Sequence, residues 1–259
     1  MSKLEQRLKE KQGLIPYFTC GDPSLEQTEH IIQEAINADV SAIEIGLPFS
    51  DPIADGPIIQ ASHHRALEEA PDMSVDMALR LVSKLATSSD VPLIFMAAAN
   101  LVFRYGIEAF FEAANAHHLA GLIVPDLNPD TADRYIKAAK KNSVDLIFLV
   151  SPLCSKERLK QIVEASTGFV YLMSRVGVTG EQATLSDTLA TQVAAIKAIK
   201  DIPVAIGFGI SSKQQVQEVC QIADAAIVGS YFVRFLAQNK QCPQTQLRAL
   251  RNELLNLQP

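Results

Sequence analysis

Eight short apolar runs recur along the 259 residues, and each is followed by a turn signal and then by a segment of helical period. The runs are LIPYFTC from Leu14, SAIEIG from Ser41, PLIFMAA from Pro92, AGLIVPD from Ala120, DLIFLVS from Asp145, GFVYLMS from Gly168, IPVAIGF from Ile202 and AAIVGS from Ala225. Runs that are apolar on consecutive positions suit parallel strands buried on both faces, whereas half-exposed antiparallel strands alternate with polar residues. Eight strand-helix units imply closure into an α/β fold of the (β/α)8 TIM-barrel type. The start MSKLEQRLKEK is expected to form an additional N-terminal helix.

No Gly/Ser-rich or Pro-rich linker splits the chain, and its length is close to the roughly 250 residues of one such barrel, so residues 1–259 are expected to form one domain. Some helix starts are explicit. Asp22 followed by Pro23 reads as an N-cap and first helical position, and Ser212 with Gln215 reads as a capping box. Two connections after strands are long: Leu47 to Ile58, rich in Pro and Asp, and Arg175 to Thr188, rich in Gly and Thr. Loops at the C-terminal strand ends of a barrel build its active site. The second has too few apolar residues to bury itself and is expected to act as a closing lid.

A formal net charge of −6 provides no basic surface for tracking a phosphodiester backbone, which argues against nucleic acid as a partner. The longest apolar runs, such as Pro92 to Phe103, fall short of a membrane span, and the start lacks an apolar signal core, so a cytoplasmic protein is expected. Cys20, Cys154, Cys220 and Cys242 are dispersed, without the spacing of a zinc site or a disulfide framework. His63-His64 and His117-His118 are neighbours on presumed helices; adjacent helical positions do not share a face, so these read as solvated surface rather than as a metal site.

Glu44 lies in the run Ala42 to Gly46, where a period of two puts Ile43 and Ile45 on one side and Glu44 on the other, facing the barrel interior. A carboxyl group there loses hydration, its pKa rises, and it becomes a proton donor near neutral pH. A structural carboxylate paired with a base is the alternative. Asp51 and Asp55 sit in PFSDPIADGP, a segment that can hold an acid near Glu44 or can simply be a turn. Tyr171 is either core or a lumen residue whose hydroxyl needs a partner. The last two strands end in GFGISS from Gly207 and in Gly229-Ser230, each leading into a helix start, where backbone amides bind phosphate. Gly180 can add another amide. No lysine stands at the C-terminal end of a run, which leaves a Schiff-base aldolase without a nucleophile and points to acid-base chemistry on a phosphorylated small molecule.

The segments FTCGDP, IEIGLPFSDPIADGPIIQ, ANLVF, SRVGVTG and GFGISS, in this order, resemble the signature segments of tryptophan synthase α chains over essentially the full chain. The resemblance implies a carbon-carbon lyase of tryptophan biosynthesis that splits indole-3-glycerol phosphate into indole and glyceraldehyde 3-phosphate, with Glu44 and Asp55 as catalytic residues. It implies support from Tyr171 and Thr179, an indole pocket of Phe18, Ile59, Met96 and Ile123, and a phosphate site of Gly180, Phe208, Gly209, Gly229 and Ser230. No cofactor or metal is expected on this chain. The implied partner is a β chain carrying pyridoxal phosphate in an α2β2 heterotetramer, met through Pro48, Asp51, Pro52, Asn100 and Phe103.

Three positions depart from the family pattern: Ala98 where many members have tyrosine, Val176 where a small polar residue is common, and Asn128 where proline is frequent. Two other readings compete. Another phosphate-binding barrel, such as a sugar-phosphate isomerase or epimerase, would share the glycine ends without needing an indole-sized pocket. A catalytically idle subunit that only regulates a β partner would not need Glu44 and Asp55.

Overall fold

The computed structural model describes residues 1–174, 185–207, 209–238 and 243–259, with the side chains of 185–187 left aside. All of the predicted runs form strands: β1 (Gly13–Thr19), β2 (Ile43–Gly46), β3 (Leu93–Met96), β4 (Gly121–Ile123), β5 (Asp145–Ile147), β6 (Leu149–Val150), β7 (Val170–Met173), β8 (Val204–Gly207) and β9 (Ala225–Val228). They pair in parallel in the order β5-β4-β3-β2-β1-β9-β8-β7-β6. The two ends of that order, β5 and β6, are halves of one extended run interrupted at Phe148, whose carbonyl still accepts the Tyr171 amide at 3.1 Å. The sheet therefore closes on itself, and the fifth predicted strand is the split one.

Alternation sorts the side chains into two layers. Leu14, Phe18, Ile43, Ile45, Phe95 and Leu122 point outward into a core shared with the helices. Ile15, Tyr17, Ile94, Met96, Ile123, Ile147, Tyr171 and Ile227 point inward and fill the barrel. The N-terminal helix Lys3–Glu10 stands on the inner layer: Leu4 and Leu8 are buried with it, while Lys9 reaches Asp201 at 2.9 Å and Arg7 reaches Asp39 across the rim. Its apolar stripe thus covers an end that would otherwise leave the filled lumen open to water.

Local signals fared unequally. Ser212 caps helix Lys213–Cys220 by accepting the Gln215 amide at 3.3 Å, and the Gln215 side chain returns to the Ser211 amide at 2.8 Å, one residue earlier than in the expected box. Asp22 is not the N-cap of the first barrel helix. Ser24 caps Leu25–Asn37, and Asp22 instead takes a two-pronged bond from Arg65 at 2.9 and 2.6 Å, an interaction between distant segments that outcompetes the local one. The connection expected to run to Thr188 is shorter than that, since Leu185–Ile199 is helical; residues 175–184, the rest of the segment expected to act as a lid, lie outside the described residues.

Candidate active site

Five strands, β1, β2, β3, β7 and β9, and the loops after β2 and β8 meet at a cavity of about 220 Å³ at the C-terminal mouth of the barrel. Glu44 of β2 stands beside Tyr17 of β1 in the sheet register. As its alternation with Ile43 and Ile45 requires, it faces inward and is 1% exposed. One of its carboxyl oxygens, Oε2, has no hydrogen-bond partner. An orphaned buried carboxylate is costly unless it is protonated or meets a ligand. Burial first, and the charge of Asp55 second, push the Glu44 pKa up to about 8.

Asp55 reaches the same cavity from the loop between β2 and helix Pro57–Glu69. The loop is held by its own backbone: the Asp55 amide donates to the Pro52 carbonyl at 3.1 Å, and the Gln60 side chain donates to the Asp55 carbonyl at 2.8 Å. Less buried than Glu44, Asp55 has its pKa raised by desolvation to about 6. At pH 7 the two acids thus differ, Glu44 holding its proton and Asp55 having lost it.

The other walls follow from the sheet ends. Met96, Ile59 and Ile227 supply apolar surface, and Tyr17 and Tyr171 line the cavity with them. Gly209, at φ +82°, and Gly229-Ser230 complete the lining, at the starts of helices Lys213–Cys220 and Ser230–Gln238. The first-turn amides of a helix have no intrahelical acceptor and favour an anion. The Ser211 amide is already taken by Gln215, so the amides at the Ser230 end are the more available ones. Arg234, one turn beyond Ser230 and exposed, brings the cavity a cation.

This arrangement brings several of the expected residues together. Glu44, Asp55, Tyr171, Ile59, Met96, Gly209, Gly229 and Ser230 all line the one cavity. Phe18 does not line it: it faces outward and packs on Phe232 with ring centroids 5.8 Å apart, and the aromatic residue on the inner face of β1 is Tyr17. Ile123, paired with Met96 across β3 and β4, belongs to the inner layer but not to the cavity wall. Thr179, Gly180 and Phe208 lie outside the described residues. Of the residues expected to face a partner, Asp51, Asn100 and Phe103 are exposed and Pro52 is half-buried, whereas Pro48 is buried.

Two functional neighbours were missed in the sequence. Arg234 has no local motif, and only the helical spacing from Ser230 points to it. His63 is not solvated surface: it is 5% exposed and lies 3.7 Å from Asp55, while His64 alone is exposed, as two adjacent helical positions with different faces demand. Among the described residues no group of three or more His, Cys, Asp or Glu is arranged to hold a metal. No described helix is long and apolar enough to cross a membrane.

The family model described as tryptophan synthase alpha chain matches residues 2–258. The chain belongs to the tryptophan synthase alpha chain family. A relative from Methanosarcina acetivorans named tryptophan synthase alpha chain is 42% identical over 254 residues, covering 97% of this chain and 91% of its own. One from Solibacter usitatus is 37% identical over 246 residues, covering 94% and 91%. Among solved structures, tryptophan synthase from Mycobacterium tuberculosis superposes with a TM-score of 0.87 at 35% identity over 98% of this chain and 97% of that one. A chain of the tryptophan synthase complex from Pyrococcus furiosus gives 0.82 at 31% identity, covering 95% and 98%. Membership in the tryptophan synthase alpha family gives the chain the α-subunit role in tryptophan biosynthesis, as a lyase, and neither a sugar-phosphate isomerase nor an idle subunit is favoured.

Proposed function

We propose that the chain cleaves indole-3-glycerol phosphate by a retro-aldol reaction in which Glu44 moves the protons and Asp55 holds the indole nitrogen. The observation that carries this reading is the placement of two carboxyl groups of unequal pKa in one cavity that is also lined by the amide-rich start of helix Ser230–Gln238. The phosphate of the substrate would sit on those amides with Arg234 beside it. Its indole would lie among Tyr17, Ile59 and Met96.

Glu44, protonated at neutral pH, donates its proton to indole C3 and leaves an indolenine with positive charge at nitrogen. Asp55, ionised, accepts the hydrogen bond of the ring N–H and stabilises that charge. The carboxylate now on Glu44 removes the proton of the carbinol hydroxyl next to the ring. The carbon-carbon bond breaks, its electron pair restores the indole, and the carbinol carbon becomes the aldehyde of glyceraldehyde 3-phosphate. Glu44 ends protonated, ready for the next cycle. The chemistry draws on no cofactor of this chain.

We further infer a cytoplasmic α2β2 assembly with a β chain carrying pyridoxal phosphate, each α chain acting as one domain. Ile53, next to Pro52 in the loop, and Phe103 of helix Ala99–Tyr105 are 77% and 65% exposed and would provide apolar area for such a partner. The deciding experiment is indole release from indole-3-glycerol phosphate by the purified chain, alone and with a β chain. Turnover abolished by Glu44→Gln supports the reading; absence of turnover in both settings removes it.

A further inference from the structure

Beneath the loop that carries Asp55 lies a buried hydrogen-bonded group that the steps above do not use. His63 projects from helix Pro57–Glu69, and its Nδ1 accepts the Phe49 backbone N–H at 3.0 Å. That nitrogen therefore carries no proton, and the neutral ring holds its one N–H at Nε2. Nε2 lies 3.1 Å from the Tyr17 hydroxyl and 3.7 Å from Asp55 Oδ2. One imidazole thus touches the loop near both of its ends, the backbone at Phe49 and the carboxylate at Asp55, and meets the aromatic wall of the cavity between them.

We propose that His63 is a positioning residue for the lyase reaction: its neutral Nε2–H donates to the Tyr17 hydroxyl and, 3.7 Å from Asp55, turns the positive end of its dipole toward the carboxylate, holding the tyrosine ring and the acid where the indole is received. This rests on the role given to Asp55 above. A neutral donor suits that role. Asp55 has to keep its negative charge directed at the indole N–H, and an ammonium or guanidinium in the place of His63 would compete for that field. Burial keeps the ring neutral, holding its pKa down at about 4. A charged ring could not accept the Phe49 N–H, so the loop contact itself depends on neutrality.

Tyr17 is tied to the same helix a second time. The Thr19 hydroxyl lies 3.3 Å from that of Tyr17 and 2.6 Å from that of Ser62, which donates to the Ile59 carbonyl at 2.7 Å. His63 and Ser62 together fix β1 against helix Pro57–Glu69. The titratable groups facing this cluster are Glu44 on β2, Tyr171 on β7, Arg234 across the cavity and Asp22 at the end of β1.

The test compares wild type with His63→Leu, which fills the space without a donor, and His63→Gln, whose amide nitrogen reaches toward the Nε2 position. Two readouts are taken on the full chain. In indole release, His63→Leu should lower kcat about 10- to 100-fold with KM changed less than about threefold, and His63→Gln should recover most of the loss. In a carbon-13 carboxyl titration, with the Asp55 signal assigned through Asp55→Asn, removal of the N–H dipole that faces the ionised form should raise the Asp55 pKa in the Leu variant by roughly one unit, and Gln should bring it back. The proposal is overturned if either readout stays at the wild-type value in a folded Leu variant, or if Gln behaves as Leu does. If the wild-type chain releases no indole, the lyase reading fails, and the titration still decides whether His63 holds the carboxylate. Should the Leu variant not fold, His63→Asn and Tyr17→Phe carry the same pair of measurements, and unchanged values in both overturn it equally.

Discussion

The hydroxyl of Tyr17 lies over Gly46 of the neighbouring strand, so closely that a Cβ at position 46 would sit 2.0 Å from it. Gly46 pairs with Thr19, two residues beyond Tyr17, and its missing side chain is the slot the ring enters. The same device recurs across the barrel, where the Tyr171 hydroxyl would meet a Cβ at Gly207 at 2.1 Å. Both glycines serve space rather than backbone freedom, and each lets a tyrosine turn its oxygen toward the mouth where the acids stand.

Gly46→Ala is therefore expected to displace Tyr17. The ring is rigid and its oxygen is held by His63, so it cannot swing away cheaply. Overpacking of this kind costs about 1–3 kcal/mol. Chemical denaturation should show that loss, and indole release should fall with it because the displaced ring enters the cavity. A variant as stable and as active as wild type would mean that the slot is not needed.

The pH dependence of turnover follows from the two acids. The productive form needs Asp55 ionised and Glu44 protonated, and their pKa values are about 6 and about 8. kcat/KM should rise as pH passes about 6 and fall as it passes about 8. A profile that climbs steadily through pH 9 would be incompatible with Glu44 as the initial proton donor.

Glu44→Gln separates chemistry from folding. The amide has the same shape and cannot cycle a proton, so turnover should drop by at least the 10²- to 10⁴-fold typical of one general acid-base step. Stability should respond in the opposite sense. The folded-state pKa of Glu44 is raised above its ordinary value of 4.5 to about 8. Any contribution of this group to stability is thus fully present below 4.5 and is lost as pH rises toward 8, because the unfolded chain ionises first. The Gln variant lacks that loss, so its melting temperature should exceed that of wild type more at pH 8 than at pH 4. Equal pH dependence in the two proteins would remove the idea of a buried, protonated Glu44.

Much of this architecture was legible because burial on both faces of a parallel strand writes itself as an unbroken apolar run, in which one charged residue such as Glu44 is conspicuous. What failed was information about which of two neighbours faces inward. Phe18 and Tyr17 are adjacent aromatics on one strand, and only the register to β2 selects Tyr17 for the lumen. Adjacency of His63 and His64 excludes a metal pair but leaves open that one of the two is buried, and it is His63 that faces the core. Asp22 fits a cap by local chemistry, and its true partner, Arg65, is 43 residues away. The split at Phe148 leaves no mark in DLIFLVS at all.

Arg234 provides the last prediction. The cavity contains two carboxyl groups, and a phosphate dianion brought into it meets unfavourable charge from Asp55 at least. The helix amides at Ser230 offset part of this, and Arg234, four residues along the same helix and so on the same side, supplies the only full positive charge on the described cavity wall. Arg234→Ala should raise KM for indole-3-glycerol phosphate severalfold while kcat changes little, since the guanidinium binds the phosphate equally before and during bond cleavage. In the reverse direction KM for glyceraldehyde 3-phosphate should rise and KM for indole should not. Because the side chain is exposed, its attraction is screened, so the difference between variant and wild type should shrink between about 0.01 M and 1 M salt. If Arg234→Ala leaves both phosphate KM values unchanged at low salt, the backbone amides hold the phosphate alone and the arginine is only surface.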